Sequence, residues 1–229
     1  MEKKVIVLSL GGSLIIPNEA DVVFLKKFKK LILNNKKKFK FIIVCGGGSV
    51  ARKYIRGLKK AGASDHLQGL IGIASTRINA RFMNYFFGID SESGIPHNIL
   101  DIKKILKKRD FVFCGALNYQ TGATTDAQAA EIAKAFKSDF INLTNVSGLH
   151  DKNPIKYKDA KLIKKISWEK FSKMAHSIKF KPGQHFILDQ MASNVIKKYK
   201  IKTYIIGKDL KQLQRILYNK SFKGTIISG

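Results

Sequence analysis

The sequence has little cysteine, proline or tryptophan. Its 229 residues include two cysteines, four prolines and one tryptophan. Cys45 and Cys114 each end an apolar run, and neither has a second cysteine or a histidine at the spacing of metal ligands. We therefore predict that both are buried thiols.

Long hydrophobic runs are also absent. The longest, VIVLSL and FIIVC, are far too short to span a bilayer, and the opening MEKKVIVLSLGG enters a strand pattern without a cleavage-type site. We expect a cytoplasmic protein with no membrane partner. No Pro/Ser-rich linker and no internal repeat interrupts the chain, so residues 1–229 are predicted to form a single domain.

Acidic residues are scarce, which leaves a large positive charge. There are 16 acidic and 43 basic residues, a net charge of +27, and 37 of the basic residues are lysine. Base-edge and bidentate phosphate recognition depend on arginine, whereas lysines opposite an apolar stripe, as in residues 24–40, mostly form a solvated surface. No zinc-finger, RNP or heptad pattern is present. We expect no specific nucleic-acid partner, and a binder acting through charge alone is kept as an alternative.

Apolar strands alternate with helical segments along the chain. The strands are predicted at 4–10, 39–45, 111–114, 140–145, 203–207 and 225–228. The helices are predicted at 21–36, 49–61, 67–87, 98–108, 124–136, 168–175, 187–199 and 209–218. Strands that are apolar throughout and alternate with helices predict an α/β fold whose parallel sheet is covered on both faces.

Four of the predicted strands end in loops rich in glycine or hydroxyl groups. The loops are GGS (11–13), GGGSVAR (46–52), GALNYQTGATTDA (115–127) and TNVSG (144–148). Glycine lets a backbone approach a phosphate closely, and serine or threonine adds hydroxyl donors. Each loop alone could be a tight turn, and none matches a Walker or GxGxxG motif. Together, at one edge of a parallel sheet, they predict a phosphate site.

A few charged residues near these loops are candidates for that site. Arg52 follows Gly48 by four residues, so its guanidinium can reach phosphate oxygens from the first turn of a helix, unless it is simply an exposed arginine. Arg77 and Arg81 are interpreted as structural or interfacial. Asp126 either caps a helix or orients a phosphate-bound Mg²⁺ or a donor group, and the sequence leaves these roles open.

The motifs of common hydrolases are missing. The sequence contains no GxSxG, no HExxH and no close pair of carboxylates, and its five histidines are dispersed. Phosphoryl transfer fits better, because it depends on positioning and charge neutralisation more than on a nucleophile and base pair.

The order of motifs resembles a known family. LSLGGS, GGGSVARKYI, IGIASTRINA, TTDAQAAEIA and TNVSGLHDKNPIKYKDAKLI together resemble the archaeal type of uridylate (UMP) kinase, in the amino acid kinase superfamily, over roughly residues 4–228. The resemblance implies a three-layer αβα sandwich with a mainly parallel central sheet. It also implies ATP with Mg²⁺ as the phosphate donor and UMP as the acceptor. The expected assembly is a homo-oligomer, either a dimer or a hexamer built as a trimer of dimers.

The same resemblance assigns roles to individual residues. The acceptor side would lie mainly in residues 1–135 and the ATP side mainly in 136–229. The residues expected to meet ATP or the transferred group are Gly11, Gly12, Ser13, Gly48, Arg52, Thr144, Asn145 and His150. Those expected to meet the acceptor are Gly46, Gly47, Thr124 and Thr125. The residues expected to be catalytic are Arg52, Ser13 and Asp126.

The chain departs from the family pattern at several positions. Ser9 stands where many superfamily members carry a lysine, and His150 where a tyrosine is usual. Gly69 replaces the aspartate that would hold the acceptor's ribose, so Asp65 or Gln68 would have to substitute for it. The loop over residues 116–125 is about two residues longer than in the family.

Our hypothesis is a kinase that transfers the γ-phosphate of Mg-ATP to UMP. One alternative is a superfamily kinase for another small phosphate, phosphonate or carboxylate, for which Gly69 and the longer loop are the arguments. A second is a nonenzymatic nucleotide-binding or sensing protein that has kept the fold.

Overall fold

The computed structural model describes residues 3–90, 94–119, 124–154, 156–177 and 188–229, which form seven strands and nine helices. The strands are β1 (Lys4–Leu10), β2 (Phe39–Cys45), β3 (Phe111–Cys114), β4 (Asp139–Leu143), β5 (Lys165–Ile166), β6 (Thr203–Ile206) and β7 (Thr225–Ile227). The helices are α1 (Gly12–Ile15), α2 (Val22–Asn35), α3 (Gly48–Lys60), α4 (Asp65–Phe86), α5 (Ile99–Lys108), α6 (Thr125–Ala135), α7 (Trp168–Ser177), α8 (Gln190–Lys198) and α9 (Leu210–Leu217).

The strands form one sheet in the order β3-β2-β1-β4-β6-β7-β5. All neighbouring pairs are parallel except β6 and β7, which run antiparallel. The four strands whose loops carry the predicted phosphate site, β3, β2, β1 and β4, are neighbours. Their carboxyl ends therefore meet along a single edge of the sheet.

The sheet has a hydrophobic core on each face. Alternate residues of β1 divide between them: Leu8 packs in the core beneath α2, α4 and α9, and Val7 in the core beneath α5, α6, α7 and α8. Both are fully buried. A strand buried on both faces needs helices on both sides, and the predicted three-layer αβα sandwich is confirmed.

The predicted elements are present with small shifts at their ends. Two short elements were not predicted, the one-turn helix α1 and the two-residue strand β5. An element of two to four residues is too short to show a hydrophobic period in the sequence. Helix α8 begins after its N-cap Asp189, whose side chain accepts a hydrogen bond from the backbone N–H of Ala192. Ile187, the first residue of the predicted helix, lies outside the described residues.

The two cysteines are buried and free, as predicted. Burial raises the pKa of the Cys114 thiol to about 12, and burial together with the nearby Cys114 raises the pKa of Cys45 well above its usual value. The lysines of α2 that face away from its apolar stripe are exposed, as predicted from the charge pattern. Over the described part of the chain, no helix combines the length and apolar character needed to cross a membrane.

Candidate active site

A cleft of about 480 Å³ runs along the carboxyl edge of β3, β2, β1 and β4. It is lined by all four predicted loops and by one side of α4. The predicted site residues that line it are Gly11, Gly12, Ser13, Gly46, Gly47, Gly48, Arg52, Gln68, Thr124, Thr125, Asp126, Thr144 and Asn145. Two predicted residues, Asp65 and His150, are not part of its lining.

The two glycine loops at the centre of the cleft interlock. A methyl group on Gly12 would lie 2.5 Å from the carbonyl oxygen of Gly46 and 2.6 Å from the Cα atom of Gly48. Gly48 has a φ of +59°, a left-handed conformation that other residues rarely adopt. The N–H of Gly46 donates to the carbonyl of Leu10 at 2.9 Å. Only glycine allows the two backbones to approach this closely.

Helix α3 begins inside the second glycine loop. Its N-cap is Gly47, which offers no side chain to the first N–H groups of the helix. Backbone N–H groups and the positive end of the helix dipole favour an anion at such a position. Arg52, one turn into α3, is exposed, and among the described residues nothing forms a salt bridge or hydrogen bond with it. Its guanidinium is available to a phosphate in the cleft.

Asn79 holds the second glycine loop from below, a role that the sequence reasoning missed. This fully buried residue of α4 donates from Nδ2 to the carbonyl oxygens of Gly46 at 2.7 Å and Gly47 at 3.3 Å. Its Oδ1 is buried without a hydrogen-bond partner in the described structure. The signal that could have revealed this role was a polar residue at a buried position of the α4 segment RINA (77–80).

Asp126 lies at the centre of the cleft floor. Its Oδ1 accepts hydrogen bonds from Ser9 Oγ at 2.6 Å and from Asn142 Nδ2 at 2.8 Å, so side chains of β1 and β4 both hold it. The cap of α6 is Thr124, whose hydroxyl accepts from the Asp126 N–H at 3.1 Å. Helix capping, one of the two roles that the sequence left open for Asp126, is therefore performed by Thr124.

Burial raises the pKa of Asp126 from its ordinary value of 3.8 to about 6. The nearby carboxylate of Asp189 raises the pKa further, while the hydrogen bonds from Ser9 and Asn142 lower it. Asp189 is itself buried, and its Oδ2 accepts from the N–H of Thr124 at 3.0 Å and from the Thr124 hydroxyl. Asp189 thus joins the start of α8 to the start of α6, a connection that the sequence reasoning did not identify.

One end of the cleft lies beyond β4. Thr144, Asn145 and Asn153 line it. The Thr144 hydroxyl donates to Asn145 Oδ1 at 3.3 Å. The half-buried His150 lies outside, with its Nδ1 2.9 Å from the carbonyl oxygen of Gly148.

The other end lies between β3 and α4. Gln68 lines it, whereas Asp65 is exposed and accepts a 3.5 Å hydrogen bond from Gln68 Nε2. Arg77 donates from Nε to the carbonyl of Ala116 at 3.2 Å and from Nη2 to that of Leu117 at 2.7 Å. These contacts agree with the structural role predicted for Arg77.

Comparison with known proteins identifies the class to which this fold and cleft belong. A family model described as the amino acid kinase family matches residues 4–207. The chain therefore belongs to the amino acid kinase family.

Within that family the chain is similar to archaeal uridylate kinases. It is 34% identical over 229 residues to the uridylate kinase of Methanococcus aeolicus, with 97% of this chain and 99% of the relative covered. It is 31% identical to that of Thermococcus sibiricus over 97% of this chain and 98% of the relative. The crystal structure of uridylate kinase from Archaeoglobus fulgidus superposes with a TM-score of 0.82 at 32% identity, covering 97% of this chain and 99% of that one. The resemblance found in the sequence motifs is confirmed.

Proposed function

We propose that this protein is a UMP kinase, which transfers the γ-phosphate of ATP to UMP and forms UDP and ADP. The observation that carries the proposal is one cleft in which two interlocked glycine loops, a helix N-terminus and Arg52, which has no partner among the described residues, converge. Near full-length similarity to uridylate kinases supports the choice of UMP as acceptor. In the transfer, a UMP phosphate oxygen bonds to the γ-phosphorus while the bond to the β–γ bridging oxygen breaks, and its electron pair leaves with ADP.

The residues at the centre of the cleft stabilise the charge of the transferred group. Gly12, Ser13 and Gly48 offer backbone N–H groups and a hydroxyl, and Arg52 supplies a positive charge from the first turns of α3. Such a reaction needs no general base, because the second pKa of a nucleotide phosphate is about 6 and the acceptor is already mostly dianionic at pH 7. In this proposal Asp126 orients the groups around the reacting phosphates.

Magnesium would arrive with ATP and not occupy a protein-built site. Among the described residues no cluster of three or more histidine, cysteine, aspartate or glutamate side chains could hold a metal ion, and the one carboxylate lining the cleft is Asp126. These residues fit a Mg²⁺ held mainly by the phosphates of ATP, as is usual for this ion. When bound it neutralises charge on the β- and γ-phosphates.

We assign the two ends of the cleft to the two substrates. The acceptor half is mainly residues 1–135, with Gly46, Gly47, Gln68, Thr124 and Thr125 around UMP. The ATP half is mainly residues 136–229, with Thr144 and Asn145 near the adenine nucleotide. Residues 1–229 are proposed to act as one domain. Asp65 and His150 belong to neither lining, which weakens the roles that the family resemblance suggested for them.

We further propose that the chain works as a homo-oligomer in the cytoplasm. Helix α4 exposes four large apolar side chains on one side, where a second copy could bury them. They are Leu67 (50% exposed), Leu70 (42%), Ile78 (55%) and Tyr85 (54%). A dimer, or a hexamer built from three dimers, would have a solution mass well above the 25.7 kDa of one chain, which light scattering measures. The two free buried thiols fit a reducing compartment.

A panel of acceptors tests the function directly. ADP formation from Mg-ATP is measured with UMP, CMP, AMP, phosphonates and small carboxylates, and we expect UMP to be turned over with the highest kcat/KM. Turnover of another acid with UMP ignored would contradict the proposal. Thermal stabilisation by ATP or UTP without any product would instead indicate a nonenzymatic nucleotide-binding protein.

A further inference from the structure

The side chain of Tyr119 occupies the space directly above Gly69. A methyl group on Gly69 would overlap Cε2 of Tyr119 and lie 3.1 Å from its Cδ2 and 3.2 Å from its Cζ. Position 69 is therefore a glycine for a steric reason that the sequence did not reveal. Any larger residue at position 69 would displace the tyrosine ring.

The ring and the segment that leads to it both pack against α4. His66, one turn before Gly69 in α4, packs edge-on against Tyr119 with ring centroids 4.7 Å apart and an interplanar angle of 89°. The chain leading to Tyr119 is fixed to α4 as well, since the N–H of Ala116 donates to Thr76 Oγ1 at 2.9 Å and Arg77 bonds two carbonyls of this segment. Helix α4 thus sets the position of the ring.

Tyr119 also lines the cleft, at the end that we assigned to UMP. The apolar Ile55 and Ile73 and the neutral amides of Gln68 and Asn118 line the same cleft. Among the described lining residues, no carboxylate lies at this end, because Asp126 is at the centre of the cleft floor. A half-buried aromatic ring, with no carboxylate among the described lining residues at this end, is suited to the planar face of a base.

We propose that Tyr119, seated on Gly69, is the residue that recognises the nucleoside of the acceptor. The ring contacts the nucleoside of UMP and sets the affinity for the acceptor, while the glycine loops and Arg52 hold the phosphates. This inference rests on the proposed UMP kinase function. Tyr119 takes no part in the transfer of the phosphoryl group, so its loss changes binding and not chemistry.

Steady-state kinetics with UMP and ATP varied separately test the role of Tyr119. Tyr119→Ala is expected to raise the KM for UMP roughly tenfold, as loss of an aromatic contact with a base does, while kcat and the KM for ATP change less than about twofold. Tyr119→Phe keeps the ring, and its KM for UMP is expected to stay within about twofold of the unchanged protein.

The seat of the ring is tested by a double-mutant cycle. Gly69→Ala is expected to raise the KM for UMP by pushing the ring away, but to add nothing in the Tyr119→Ala background, where no ring is present. Gly57→Ala is the matched control, since Gly57 is also a helical glycine and a methyl group on it meets nothing within 4 Å. Melting temperatures of all variants check that each one folds.

The outcomes separate this inference from the proposed function. An unchanged protein that ignores UMP overturns the proposed function and this inference with it. If UMP is phosphorylated but Tyr119→Ala leaves its KM unchanged, or raises the KM for ATP instead, only the role of Tyr119 is wrong. If Gly69→Ala and Tyr119→Ala act additively, the ring does not depend on its seat.

Discussion

The hydroxyl of Ser9 donates a 2.6 Å hydrogen bond to Oδ1 of Asp126, which ties the end of β1 to the first turn of α6. This hydrogen bond and the one from Asn142 lower the pKa of Asp126, but burial outweighs them and the pKa rises to about 6.

This raised pKa makes a prediction about stability and pH. A carboxyl whose pKa is about 6 in the folded protein and 3.8 when unfolded favours folding below pH 4, and this contribution is lost as the pH rises to 6. We therefore expect Asp126→Asn, which removes the charge of this half-buried side chain, to raise the free energy of unfolding at pH 7.5 by about 2 kcal/mol. Denaturant unfolding of both proteins at pH 7.5 measures this difference in the free energy of unfolding.

The control compares the unchanged protein with Asp126→Asn at a lower pH. At pH 3 the two should have nearly equal stability, because the carboxyl is then mostly protonated in both the folded and the unfolded state. A variant that is less stable than the unchanged protein at pH 7.5 would mean that the hydrogen bonds to Ser9 and Asn142 outweigh the cost of burial.

Arg52 is expected to act on the phosphates alone. Arg52→Ala should lower kcat/KM by about 100-fold, the usual effect of removing one group that stabilises developing charge, with little change in melting temperature because Arg52 has no partner among the described residues. Arg56→Ala, one turn further along α3 and exposed outside the cleft, should leave kcat/KM within about twofold. Equal activity of the two variants would remove Arg52 from the site.

The contact between the glycine loops predicts a sharp dependence on side-chain size. Gly12→Ala should destabilise the fold by about 2 kcal/mol or more, because the added methyl group meets the backbone of Gly46 and Gly48, which cannot give way as a side chain can. The exposed Gly57→Ala should instead stabilise the protein by about 0.5–1 kcal/mol through helix propensity. Thermal unfolding measures both, and a neutral Gly12→Ala would contradict the close approach.

Asn79 is expected to matter for the position of the second glycine loop. Asn79→Ala should cost about 1–3 kcal/mol of stability, because the carbonyl of Gly46 loses its buried donor, and should raise the KM values of both substrates as the loop loosens. Ser75→Ala is the control, since Ser75 is equally buried in α4 but, among the described residues, its hydroxyl bonds within its own helix, to the carbonyl of Ile71. A KM change in Ser75→Ala of the same size would point to a general effect on α4.

The larger elements of the fold could be predicted because apolar runs such as residues 39–45 and the amphipathic stripe of α2 each carry a clear period. The meeting of the glycine loops in one cleft could be predicted because strand ends in a parallel sheet share one edge. Contacts between residues far apart in the sequence could not be predicted, such as those of Tyr119 with Gly69 and of Asp189 with Thr124. No local pattern encodes which side chain fills the space above a glycine.

The interlocked loops also determine which parts of the protein can move. Gly11 and Gly46 donate their N–H groups to the carbonyls of Leu143 and Leu10, and the Ser49 hydroxyl bonds the carbonyl of Ile16, so neither loop can shift without the other. The bonded amide hydrogens of Gly11 and Gly46 should exchange among the slowest of the described residues. Any closure around two nucleotides must then come from the outer walls, which would move towards a fixed phosphate-binding centre.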